Sequence, residues 1–156
     1  MNNIDLLIDY KKVDNKDVSV CDLNSQLIVF SYQGDLEAIK YCVNKGADIQ
    51  TLNNFALRYA VMNNHFEVVK YLVDLGADIH AKDDESLFWA SSKGHLGIVK
   101  FLVERGADIH SKNNVALKWA SVFDRFDVVE YLVSKGGDTT VCNDFHKKKL
   151  SEIKNM

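Results

Sequence analysis

The sequence predicts an all-α solenoid of stacked antiparallel helix pairs, and three observations predict it. The tripeptide Gly-Ala-Asp stands at Gly46, Gly76 and Gly106, with Gly136-Gly137-Asp138 on the next beat, so the chain repeats every 30 residues. Each beat holds two apolar segments, a short one upstream and a longer one that ends at the glycine. A period in this range marks units that cannot bury their own apolar faces and do so by stacking.

The longer segment is clearest between Lys93 and His110. There Leu96, Ile98, Val99, Phe101, Leu102 and Val103 leave only Gly97, Lys100 and Glu104 as a polar strip. That strip is too narrow for a helix lying on one surface, so the helix packs on more than one side. Gly106 follows its last turn, where a left-handed residue closes a helix and a Cβ is disfavoured. The shorter segments read Leu57-Arg58-Tyr59-Ala60, Leu87-Phe88-Trp89-Ala90 and Leu117-Lys118-Trp119-Ala120. Their alanines allow close approach of neighbouring helices, whereas the first unit has Phe30 at that position. Asn24, Asn54, Asp84 and Asn114 are candidate N-caps, each able to accept a free N–H of the first turn. Glu37 with Lys40 and Glu67 with Lys70 are spaced to pair on the exposed strip. In the fourth unit Asp127 and Glu130 set like charges there, and nothing in the sequence explains them.

Short helix, Gly-His turn, longer helix and Gly-Ala-Asp together resemble the ankyrin repeat. Gly94-His95-Leu96 and Gly106-Ala107-Asp108-Ile109 carry the resemblance most fully, and Asn64-His65-Phe66 and Gly34-Asp35-Leu36 in part. The family's Thr-Pro-Leu-His is reduced to its leucine, and the chain has no proline. An ankyrin unit runs to about 33 residues, so each unit lacks about three, lost where the family places a β-hairpin finger. Blunted or absent fingers are therefore expected. The resemblance implies repeats at 23–52, 53–82, 83–112 and 113–142. A half-repeat cap at 1–22 precedes them, unless the chain is cut from a longer array, and a Lys-rich cap follows at 143–156. It also implies a concave face at the ends of the first helices: Tyr32, Gln33, Met62, Asn63, Ser92, Lys93, Val122 and Phe123. These positions vary between units while the frame stays constant, as a specificity surface requires, and Val122 with Phe123 would be costly as idle solvent residues. The implied function is non-catalytic protein binding by a monomer, with a self-associating structural component as the alternative. The short Asn- and Lys-rich units are similar to ankyrin-repeat proteins of mimivirus-like DNA viruses that infect amoebae, which implies a viral protein of the host cytoplasm.

Composition narrows the remaining classes. The chain has 156 residues, 47% of them apolar, and a net charge of −3, which suits one domain and argues against nucleic-acid or polybasic membrane binding. Neither a signal peptide nor a membrane span is legible, so a soluble intracellular protein is expected. Three cysteines without paired spacing agree with a reducing compartment. Cys42 falls where Leu72, Leu102 and Leu132 stand, and reads as core. His65 and His95, like His80 and His110, lie one period apart. Equivalent helices sit about 8–10 Å apart, too far for two imidazoles that each need a nitrogen about 2.0–2.1 Å from one zinc. They read as turn features, and no metal, cofactor or small-molecule substrate is expected. Ser91 and Ser92 near His95 lack an orienting acid, and no phosphate loop or nucleophile elbow is present, so the chain is not expected to be an enzyme. Asp48, Asp78 and Asp108 suit loop hydrogen bonding. Tyr59, Trp89 and Trp119 read as a half-buried seam between repeats. Phe145 to Lys154 predicts a terminal helix with Leu150 and Ile153 as a thin apolar edge.

Overall fold

The computed structural model describes residues 20–154, so the half-repeat expected at 1–22 lies almost wholly outside the described residues. Among these there are nine α-helices, one 3₁₀ turn and no strand. The helices are α1 Val20–Gln33, α2 Leu36–Asn44, α3 Thr51–Met62, α4 Phe66–Asp74, α5 Ala81–Lys93, α6 Leu96–Glu104, α7 Ser111–Val122, α8 Phe126–Ser134 and α9 Asp144–Lys154; the 3₁₀ turn is Thr139–Val141. Odd-numbered α1 to α7 pack on one another as one layer, and α2 to α8 as a second, each pair joined by a tight turn. The fold is thus the expected all-α solenoid.

Periodicity in the sequence becomes columns in the core. Leu27, Leu57, Leu87 and Leu117 are all buried, as are Cys42, Leu72, Leu102 and Leu132, one residue of each column per unit. Ala60, Ala90 and Ala120 have no exposed surface, which lets the first helices pack more closely than the second ones. On α6 Ile98, Val99 and Leu102 are buried while Leu96, Phe101 and Val103 are half-buried, so the helix is covered on more than one side. Its end is closed by Gly106 at φ 100°. There the Ala107 N–H donates to the Leu102 carbonyl and the Gly106 N–H to that of Val103, both at 3.0 Å, satisfying carbonyls the helix would leave open.

Where fingers would project, each of α3, α5 and α7 opens with three left-handed residues. These are Leu52-Asn53-Asn54, Lys82-Asp83-Asp84 and Lys112-Asn113-Asn114, with φ between 48° and 59°. Such backbone costs an L-residue about 1–2 kcal/mol, and Asn and Asp are the types that tolerate it. The turn explains why the N-cap reading of Asn24, Asn54, Asp84 and Asn114 is corrected. Asn24 lies inside α1, and the other three precede the right-handed part of their helices. Each side-chain Oδ1 instead accepts the N–H of the aspartate 24 residues on: Asp48 at 2.7 Å, Asp78 at 2.8 Å, Asp108 at 2.9 Å and Asp138 at 3.2 Å. Those aspartates in turn accept the N–H two residues ahead, from Gln50, His80, His110 and Thr140. His80 and His110 brace the same ladder through Nδ1, each 3.0 Å from the Oδ1 of Asp84 or Asn114.

The last helix, α9, departs from the expected edge. Leu150 is buried but Ile153 is exposed, and the second buried position belongs to His146. Its ring stacks on Phe126 at 5.6 Å and its Nδ1 lies 2.8 Å from the Asn143 oxygen. Asn143 donates its amide Nδ2 to the Ser121 carbonyl at 2.9 Å and its backbone N–H to the Ser121 hydroxyl at 2.9 Å. The terminal helix is therefore tied to the end of α7 by polar contacts that no apolar pattern announces.

Asn54 is buried and holds the Asp78 loop. Asn54→Ala should lower unfolding stability by about 1 kcal/mol in urea titration, because a part-buried donor loses its acceptor. Asn54→Asp should retain most of it, as Asp84 does this work one unit later.

Candidate docking face on the first helices

The C-terminal ends of α1, α3 and α5 are finished by the following unit. The His65 Nε2 lies 2.8 Å from the Tyr32 carbonyl and the His95 Nε2 lies 3.3 Å from that of Met62. Because a carbonyl only accepts, the proton of each ring is on Nε2. One unit later Arg125 takes the place of the histidine, its Nε donating to the Ser92 carbonyl at 3.2 Å. The repeated histidines are thus clamps between successive helix pairs. Gly34 and Gly94 leave room for them: a Cβ on Gly34 would stand 2.4 Å from the His65 ring, and one on Gly94 would stand 2.8 Å from Arg125.

These clamps fix the helix ends that carry the predicted face. Tyr32, Gln33, Lys93, Val122 and Phe123 are exposed, and Met62 and Asn63 are half-buried. Ser92 is buried, its hydroxyl donating to the Trp89 carbonyl at 3.1 Å, so Lys93 carries the surface of that unit. Val122 is 52% exposed and Phe123 48%. Phe123 stacks on Trp119 at 5.5 Å, Trp119 meets Phe88 edge-on at 6.4 Å, and Phe88 lies 4.8 Å from Trp89. At the other end Tyr32 meets Tyr59 edge-on at 5.8 Å. The seam reading holds for Tyr59 and Trp89, which are half-buried. It is corrected for Trp119, which is 36% exposed and joins the patch made by Phe123. The spacing of four between Trp119 and Phe123 was the available signal, since residues so placed share one helix face.

Sequence reasoning also missed a cleft of about 230 Å³ between the left-handed turns of α5 and α7. Phe88, Val115 and Trp119 form its apolar wall, and Lys82, Asp83, Glu85 and Lys112 its charged rim. Among the described residues no set of three or more His, Cys, Asp or Glu is placed to share a metal ion, and no helix is long and apolar enough to cross a membrane.

A layered solenoid of helix pairs with a variable, partly apolar face on one layer defines a repeat protein of the interaction class. A family model described as ankyrin repeats in three copies matches residues 2–83 and 84–143, and the chain belongs to the ankyrin-repeat family. Ankyrin repeats are generally protein-interaction modules and are typically non-enzymatic. No curated protein matches the chain.

Burial holds the His95 imidazole below its ordinary range, with Lys93 and Arg125 adding to the effect and the Met62 carbonyl opposing it. The unfolded chain therefore protonates first as pH falls. Stability from this clamp is complete above about pH 6.5 and is lost as pH drops through the lower folded value. Urea midpoints measured from about pH 7 down to about pH 5 should decline, and His95→Gln should flatten the part of that decline due to this residue.

Proposed function

We propose that the chain is a non-catalytic protein-interaction module that presents the concave face of its first helices to a partner protein. The observation that carries this reading is the exposed apolar patch of Trp119, Val122 and Phe123, held on a helix layer whose other ends are clamped shut. Tyr32, Gln33, Met62, Asn63 and Lys93 extend the surface along the layer. Rigid aromatic groups on a preorganised frame are what protein recognition favours, since little rotamer freedom is lost on binding. The resemblance of these short Asn- and Lys-rich units to viral ankyrin-repeat proteins supports a partner in a host cytoplasm. A second reading, ordered self-association, is favoured by Phe145, which is 65% exposed on α9.

Affinity capture with the intact chain beside Phe123→Glu, both checked for equal helicity, separates the two. On the first reading a retained protein is lost with the variant, at a cost of at least about 2 kcal/mol or roughly thirtyfold in affinity. Concentration-dependent sedimentation that Phe145→Glu abolishes, with no protein retained, would put self-association ahead.

A further inference from the structure

Charge is unevenly divided between the two helix layers. Helices α3, α5 and α7 hold five basic and three acidic residues, whereas α4, α6 and α8 hold two basic and five acidic ones. What matters is which of these charges are already satisfied. All three acids of α3, α5 and α7 are engaged: Glu85 pairs with Arg58, Asp83 with Lys112 at 3.2 Å, and Asp84 with His80 at 3.0 Å while also accepting the Asp108 N–H. Arg58 and Lys112 are consumed in doing so. Lys82, Lys93 and Lys118 are exposed and have no carboxylate in ion-pair range among the described residues.

Lys82 borders the apolar cleft whose wall is Phe88, Val115 and Trp119, and Lys118 lies one position from that Trp119 on α7. Lys93 lines a separate polar groove with Asp124, Arg125 and Asp127 at the far end of α5. Resting on the concave-face reading above, we propose that the partner is an acidic peptide segment carrying one bulky apolar side chain. That side chain enters the cleft between Phe88 and Trp119, and carboxylates on either side of it meet Lys82, Lys93 and Lys118. Between Lys82 and Lys93 the right-handed part of α5, from Glu85 to Lys93, spans about 12 Å at the helical rise of about 1.5 Å per residue, which about four extended residues bridge. Complementary charge gives the segment its specificity and its rate of encounter, and the buried side chain its residence time. A basic or neutral segment would leave three cations beside the interface without counter-charge.

The test is a random linear peptide library displayed on phage and panned on the full chain, with selected peptides synthesised and titrated by fluorescence. The expected result is enrichment of sequences with two or more carboxylates around one aromatic or large aliphatic residue. Their affinity should weaken as salt rises, fall about tenfold or more in a combined Lys82→Glu, Lys93→Glu, Lys118→Glu variant, and stay unchanged in Lys70→Glu on the opposite layer. Lys→Gln at the same three positions should give a smaller loss in the same direction. Enriched peptides without acidic excess, or acidic ones that bind the triple variant undiminished, overturn the charge inference. If such peptides nevertheless lose binding with Phe123→Glu, the concave-face reading stands without it. Peptides indifferent to Phe123→Glu and to the lysine variants, or no enrichment over the bare support, overturn both.

Discussion

The structure depends on one hydrogen bond made four times, from the N–H of Asp48, Asp78, Asp108 or Asp138 to a side-chain oxygen at the start of the same unit. Each bond joins the loop that leaves the second helix to the segment that begins the first, so it fixes both ends of a unit. Removing the three loop residues of a longer repeat leaves no finger to do this. A left-handed turn rich in Asn and Asp does it instead, and its backbone cost is offset by the bonds that the same residues accept. Burial of Asn54 and Asp84 raises the stakes, because their side-chain oxygens, left unpaired, would be shielded from water.

On that frame a division of labour follows. Columns of leucine, alanine and valine and the Gly-Ala-Asp turns are nearly the same in every unit, and with the clamps of His65, His95 and Arg125 they hold the first helices at fixed spacing. The residues at the free ends of those helices differ: Tyr32 and Gln33, Met62 and Asn63, Lys93, then Val122 and Phe123. A constant scaffold with a variable edge is how a repeat protein changes partner without changing fold. The electrostatics follow the same split, since the acids of α3, α5 and α7 are spent on internal pairs and some of the lysines there are not.

Legibility in the sequence divides along physical lines. The solenoid was readable because burial repeats with the chain: a period of 30 puts Leu57, Leu87 and Leu117 in one column, and Cys42 could be placed in the core by its alignment with Leu72 alone. Gly106 was readable because a positive φ selects glycine. Asn54 and its equivalents were misread because Asn is favoured both as an N-cap and in left-handed turns, and only the path of the backbone decides between them. The binding of His146 to Asn143 and Ser121 left no signal, as a buried polar network has no periodicity. Exposure of Trp119 was misjudged because the ladder of Tyr59, Trp89 and Trp119 suggested equal burial, whereas α7 has no further first helix beside it to cover the last ring. The cleft at Phe88 required two neighbouring units at once, which spacing within one unit does not give.

Amide hydrogen exchange at Asp48, Asp78, Asp108 and Asp138 measures the central interaction most directly. All four residues are exposed and lie in loops, so without the side-chain acceptors their amides would exchange at nearly the rate of an unfolded chain. The account predicts protection at the level of the core helices, opening together with Leu57, Leu87 and Leu117 as cooperative units. Fast exchange at these four amides beside protected helices would contradict it, and would show that helix packing alone holds the units in register.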